Sequence, residues 1–368
     1  MISRAQLHAT DGTTYALRSF AWQGVPIVDA CSVQAPYGDL LVLCADGTLH
    51  GVNLDNPNVV KLCSVVLPEI DGSDSTDPDT PALKLHASNN GAYAAIVIDR
   101  GQSGVVVETC SGSITMRLAG GDYFEHTVPF SACFLDFEGR TVLVHRTDWN
   151  RLDAADPVTG KSLSERFIAP YTESSKTRPD HYLDYFHGRL RPSPDGTRLF
   201  DDGWAWHPVA VPCTWSVTTW LGANPWECDD GASVVYFATR DDWNKPACWV
   251  GNNRIALWGL ADCDDGSADD EKTSTGVRIL DATASTQACA LRWYIDLGEN
   301  SVRNMFSDGQ RLYISADAGT TVVDIASGAP VTTLTDFTAG LHHTTRGSLI
   351  AIRPSAIVEF ALPWPCNI

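Results

Sequence analysis

Four histidines, His86, His187, His342 and His343, stand on apolar, strand-like runs of the chain. Imidazoles on neighbouring strands can share a transition metal. Adjacent residues of a strand face opposite sides, so His342 and His343 cannot both serve one site. Asp29, Asp136 and Asn304 occupy comparable runs, with no glutamate at matched positions. Local hydrogen bonding explains these residues more simply than a metal does. Two acidic stretches, DGSDSTDPD at 71–79 and DCDDGSADDE at 262–271, bring alternating oxygens near glycine. Neither has the glycine and glutamate spacing of a calcium loop, so both read as solvated surface. Ser111, Ser193 and Ser307 lie at turns, and none sits in G-x-S-x-G. A glycine-rich phosphate loop and a dinucleotide fingerprint are also lacking. No catalytic residue, metal ligand or cofactor is therefore assigned.

Recognition chemistry is better represented. Trp204, Trp206, Trp215, Trp220, Trp226, Trp243, Trp249 and Trp258 crowd one part of the chain. Trp226 and Trp243 fall on expected loops beside Asp229, Asp230, Asp241 and Asp242. Exposed indoles ringed by carboxylates suit an arginine- or lysine-bearing peptide. The candidate binding residues are thus Trp226, Asp241, Asp242 and Trp243. Packing inside loops is the competing explanation.

A recurring hairpin signal dictates the elements that must position these residues. Tyr37-Gly38, Asn90-Gly91, Glu138-Gly139, Asp195-Gly196, Asp308-Gly309 and Arg346-Gly347 each precede a run of Leu, Ile, Val or aromatic residues. Glycine tolerates the positive φ of a tight hairpin, and the apolar run after it reads as a buried strand. The signal divides the chain into seven antiparallel units at about 27–67, 82–119, 130–167, 185–221, 233–297, 301–337 and 340–362. The fifth unit shows the strand order without the glycine turn, unless Asp230-Gly231 is its first turn, which would shift the register. It carries two expected insertions, 240–253 and 261–275. SVTTWL at 216–221 reads as the last strand of unit four. The seventh unit has only three strands. A ring of blades must close, because an open edge exposes backbone donors and acceptors. One strand from residues 4–20 is expected to complete it. The expected fold is all-β: a single seven-bladed β-propeller of four-stranded blades, closed by an N-terminal strand.

HGRLRPSPDGTRLF at 187–200 resembles the strand-turn-strand signature of the WD40-like, YVTN and quinoprotein-type propellers. TTVVDIASGAPVTTL at 320–334 is similar to their third and fourth strands. No unit carries the Gly-His opening and Trp-Asp ending of a strict WD repeat. The resemblance implies a binding scaffold more often than an enzyme.

The formal charge of −19, from 26 basic and 45 acidic residues, argues against nucleic acid and anionic membrane as partners. It favours a basic protein or peptide. Eleven cysteines without a Cys-x-x-Cys, and no apolar leader, lead to the expectation of a reduced, cytoplasmic protein. A monomer is expected. A rival pairing would join some of Cys213, Cys228, Cys248 and Cys263. The function expected is a non-enzymatic protein-binding scaffold. The alternative is a small-molecule hydrolase or lyase, metal-dependent or not, with its site in the central channel.

Overall fold

The computed structural model describes residues 2–56, 58–70, 81–167, 169, 171, 177–205, 209–237, 239, 244–260, 275–284, 289–297 and 301–363. Seven antiparallel sheets follow one another along the chain. The first strands of successive sheets touch across much of the ring: Ile27–Ala35 meets Ala82–Ala87, which meets Ala132–Phe137, and that strand meets Tyr185–Pro192. Leu341–His343 returns to Ile27–Ala35, so blade seven meets blade one. These first strands enclose the axis. The second strands are buried on both faces, which is why they are nearly continuous apolar runs. In Gly38–Cys44, Leu40 to Leu43 are fully buried.

All six glycines of the hairpin signal have positive φ, from 59° at Gly347 to 137° at Gly38. The turn expected to be absent from the fifth blade is present at Gly251, with φ 62°. It joins Ala247–Val250 to Arg254–Trp258. Blade five therefore begins inside the stretch read as its first insertion. The strand expected to open it, around 233–239, supplies Val235–Tyr236, the outermost strand of blade four. Strong β-formers marked a strand there, but tertiary pairing decided which sheet it joined.

SVTTWL is the second correction. Val217–Gly222 is an α-helix. The Ser216 side chain caps it by accepting from Thr219 N at 3.1 Å, and Val217 and Trp220 are buried three residues apart on one face. Blade three departs as well. Among the described residues its sheet contains Ala132–Phe137, Arg140–Asp148 and Arg151–Ala155, with a single bridge from Ala155 to Ser162 in place of a fourth strand.

Closure uses both N-terminal segments. Thr14–Ala21 pairs with Ala356–Ala361, and Ile2–His8 pairs with Thr14–Ala21 as a fifth strand. This outer strand reaches back to blade six. Thr10 N donates to Thr333 O at 3.2 Å, and Thr335 Oγ1 donates to His8 O at 2.9 Å.

Candidate functional site: an aromatic belt on blades three and four

Three connections on one side of blades three and four converge their rings. The first runs from blade two to blade three. There Phe124 adopts a left-handed φ of 50° at the head of the short 3-10 turn Glu125–Thr127. Its carbonyl accepts from Thr127 N at 3.0 Å and from Thr127 Oγ1 at 2.7 Å. A bulky residue at positive φ is strained, and such strain persists only where surrounding contacts hold it. Arg100 Nη1 supplies one such contact by donating to His126 O at 3.1 Å.

The second connection is the turn carrying Trp149, whose N–H donates to Asp148 Oδ1 at 2.7 Å. The third leads into blade four and is pinned by Asn150 Nδ2 donating to Leu183 O at 2.6 Å. Trp149 packs on Phe186 with centroids 4.6 Å apart, and Phe186 stacks on buried Trp204 at 4.3 Å and 4°. Tyr123 contacts Trp149 at 5.1 Å and Phe124 at 4.9 Å. On the other side Trp149 meets Tyr182 at 6.5 Å, and Tyr182 meets Tyr171 at 4.7 Å. The belt thus rises from a buried base to exposed rings, Tyr123 at 42% and Phe124 at 41%. Rings already seated on a rigid base lose little freedom on binding.

Carboxylates rim the belt. Asp122, Asp148 and Asp180 are exposed, and Glu125 is half-buried. The cation nearest Tyr182, Arg178, is held by Asp184 at 2.7 Å.

Of the residues singled out in the sequence, Trp226 lies at the far end of this surface. It stacks on His181 at 4.2 Å and 17°, next in the chain to Tyr182. His181 Nδ1 pairs with Asp230 at 2.8 Å. Behind Trp226 the fully buried Arg166 guanidinium lies 5.7 Å from the ring centroid. Arg166 bonds Asp229 through Nε at 2.7 Å and Nη2 at 3.0 Å, and Asp153 through Nη1 at 2.8 Å. Asp229 is therefore a structural partner between blades three and four. Burial pushes its carboxyl up, against the pull of Arg166. Asp241, Asp242 and Trp243 lie outside the described residues, as do the acidic stretches at 71–79 and 262–271.

The inner-strand histidines stay apart. His187 pairs through Nδ1 with buried Asp201 at 2.7 Å, and His343 Nδ1 lies 3.2 Å from Thr345 Oγ1. Burial, with Lys84 and Arg189 nearby, pushes His86 down to about 3. Burial pushes His342 down to about 4. Among the described residues, no three His, Cys, Asp or Glu side chains gather as a metal-holding group. Cys213, Cys228 and Cys248 are free, buried thiols, so no disulfide links them to one another; Cys263 is outside the described residues. Among the described residues no helix is long and apolar enough to cross a membrane.

The sequence reading passed over Tyr123, Phe124, Trp149 and Tyr182. One signal was present: GGDYFEH sets two adjacent aromatics in a glycine-led connection between blades. Convergence of three separate connections leaves no trace in a local pattern.

No protein-family model matches the sequence, and no curated protein matches it. Solved structures do share its fold. The β-propeller domain of Cps50 (Swd1) from Myceliophteria thermophila aligns with a TM-score of 0.55 at 10% identity, covering 93% of this chain and 98% of that one. A chain of the mitotic checkpoint complex aligns with a TM-score of 0.53 at 12% identity, covering 94% of each. The resemblance is one of fold, that of a β-propeller.

Proposed function

We propose that this propeller is a non-enzymatic scaffold that binds a protein partner through the aromatic belt of blades three and four. The carrying observation is the pair Tyr123 and Phe124, held exposed over a stacked base that ends on buried Trp204. Aromatic anchors in a polar rim are the usual centres of binding energy. The rim is acidic, and the whole chain carries −19. A basic segment would be steered to it and would set arginine or lysine over the rings. One structural neighbour is a chain of a mitotic checkpoint complex, so a propeller of this fold stands within a larger complex there. Trp226 continues the belt, and Asp241, Asp242 and Trp243 extend the proposal by residue type alone. The scaffold itself is proposed to act as a monomer.

The test compares immobilised wild type with the Tyr123→Ser, Phe124→Ser double variant, using quantitative capture and thermal melting. Basic proteins retained by wild type should be lost from the variant while its melting temperature stays close. An unchanged captured set would place the interaction elsewhere. A parallel variant at Asp241, Asp242 and Trp243 reports whether that segment belongs to the same surface.

A further inference from the structure

A cavity of about 850 Å³ opens along the axis on the side that carries the glycine hairpins. Its lining includes Arg191, Trp249, Phe306, Asp308, His342 and Thr345. Its volume lies within the ~300–1,000 Å³ that small-molecule sites occupy. In a chain of net charge −19, Arg191 lines this wall, and Arg189 precedes it by two residues on the same strand.

A bulge in Tyr185–Pro192 decides their direction. The register passes from Phe186 opposite Trp204 to Arg189 opposite Asp202, so His187 and Gly188 together face Gly203. Asp201 pins this bulge by accepting from Gly188 N at 2.8 Å and pairing with His187 at 2.7 Å. A Cβ on Gly188 would lie 2.0 Å from Asp202 O, so only glycine fits. The extra residue changes the strand's phase. Tyr185 and Leu190, an odd number of residues apart, consequently enter the same core cluster between blades three and four. Arg189 and Arg191 take the opposite face, about 7 Å apart along the strand.

Neither guanidinium hydrogen-bonds or ion-pairs with any described residue. The carboxylates around the cavity are engaged by their own hairpins. Asp308 accepts from Gln310 N, Arg311 N and Tyr313 Oη, and Asp195 from Thr197 N and Ser193 Oγ. Asp29, deeper in the channel, pairs with Lys84 at 3.0 Å. Asp202, across the sheet, is the carboxylate whose charge supports Arg191, while Arg189 opposes it. Arg189 is also close enough to His86 of blade two to help keep that imidazole neutral. Burial lowers Arg191 only to about 10, so it remains a cation at neutral pH. Trp249 Nε1 donates to Arg191 O at 2.8 Å, which fixes the strand against blade five. Two adjacent guanidinium forks with free donors match the oxygens of a phosphoryl group.

We propose that the central channel is a binding site for a small phosphate-bearing molecule, gripped by Arg191 and Arg189 of blade four. This site is separate from the aromatic belt, which lies over loops of blades three and four. The fit is to a compact ligand inside the channel, because the cavity is walled by inner strands or hairpins of all seven blades and Trp249 and Phe306 offer apolar faces to an organic moiety.

The experiment titrates purified full-length protein with inorganic pyrophosphate, with sodium chloride matched for ionic strength, and with a short poly-glutamate peptide. Calorimetry and melting temperature are read. Saturable pyrophosphate binding with a rise in melting temperature is expected, weakened about tenfold or more in Arg191→Gln and in Arg189→Gln. Arg303→Gln, at an exposed residue paired with Asp317, should bind like wild type. Phenylglyoxal labelling of wild type, mapped by mass spectrometry, needs no variant: pyrophosphate should protect Arg191 selectively. Absence of saturable binding, or binding and protection indifferent to these two arginines, would overturn the proposal. Binding of the peptide without pyrophosphate would overturn it too, in favour of an acidic protein tail.

Discussion

Arg18 in the second N-terminal strand pairs through Nη1 with Glu359 in the last strand at 3.0 Å, joining the two ends of the chain across one ladder. Glu359 is buried and also accepts from Arg346 Nε at 3.1 Å and from Ser348 Oγ at 3.0 Å. Arg346 in turn pairs with Asp55 of blade one at 2.8 Å. The closing ladder and the seam between blades seven and one therefore share one charged network.

Removing residues 1–21 should unmake this closure, because Ala356–Ala361 then has an open edge. The truncated protein should melt far below wild type and aggregate on heating. Glu359→Ala should destabilise by about 3 kcal/mol, since two guanidinium groups lose a buried partner. Urea unfolding of both variants checks this, and unchanged midpoints would show that closure does not depend on these contacts.

Arg166→Met leaves buried Asp229 without its guanidinium partner and Asp153 with Arg151 alone. A loss of about 3–5 kcal/mol is expected, the range for breaking a buried pair from one side. Adding Asp153→Asn and Asp229→Asn to the same chain should recover part of it. Denaturant midpoints of the single and triple variants decide the matter. A single variant as stable as wild type would mean that the network contributes little to holding blades three and four together.

Phe124→Gly separates stability from recognition. Glycine accepts the left-handed φ of 50° without strain, so the variant should be as stable as wild type or gain up to ~1 kcal/mol. Partner capture should fall, because an exposed ring of the belt is gone. Lower stability in this variant would show that the ring packs for structure.

His86, pushed down to about 3, and His342, pushed down to about 4, are neutral in the fold at pH values where an unfolded histidine is protonated. The sign follows from proton linkage. Stability is fully present above the ordinary value of 6.5 and is lost as pH falls below it, by up to ~1.4 kcal/mol per pH unit for each group. Asp55, which Arg346 holds below the ordinary carboxylate value of 3.8, contributes only in a more acidic window. The melting temperature should therefore begin to fall near pH 6, and less steeply in His86→Asn. A flat profile down to pH 5 would mean that these imidazoles charge freely in the folded protein.

Much of the architecture was legible because it is local. A polar residue, a glycine and an apolar run describe one hairpin, and Gly38, Gly91, Gly139, Gly196, Gly309 and Gly347 all turn where that pattern places them. Three strands left over at the end of the chain called for N-terminal closure, and the N-terminal strands provide it. Assignment of a strand to a sheet was not legible. Val235–Tyr236 has the residue types of an inner strand, yet it is the outer edge of blade four, because hydrogen-bond pairing depends on partners distant in sequence. Nor does periodicity reveal a capped helix where Ser216 redirects a β-like run. Trp226 is a candidate by its type and its neighbours alone, and the structure stacks it on His181. The rest of the belt required three connections to meet in space, and the facing of Arg189 and Arg191 required a bulge that only Gly188 permits. Strand and turn preferences act over a few residues, so the sequence alone determined the blades. Convergence of side chains depends on how blades pack and where a strand changes phase, so tertiary structure alone decided both proposed sites.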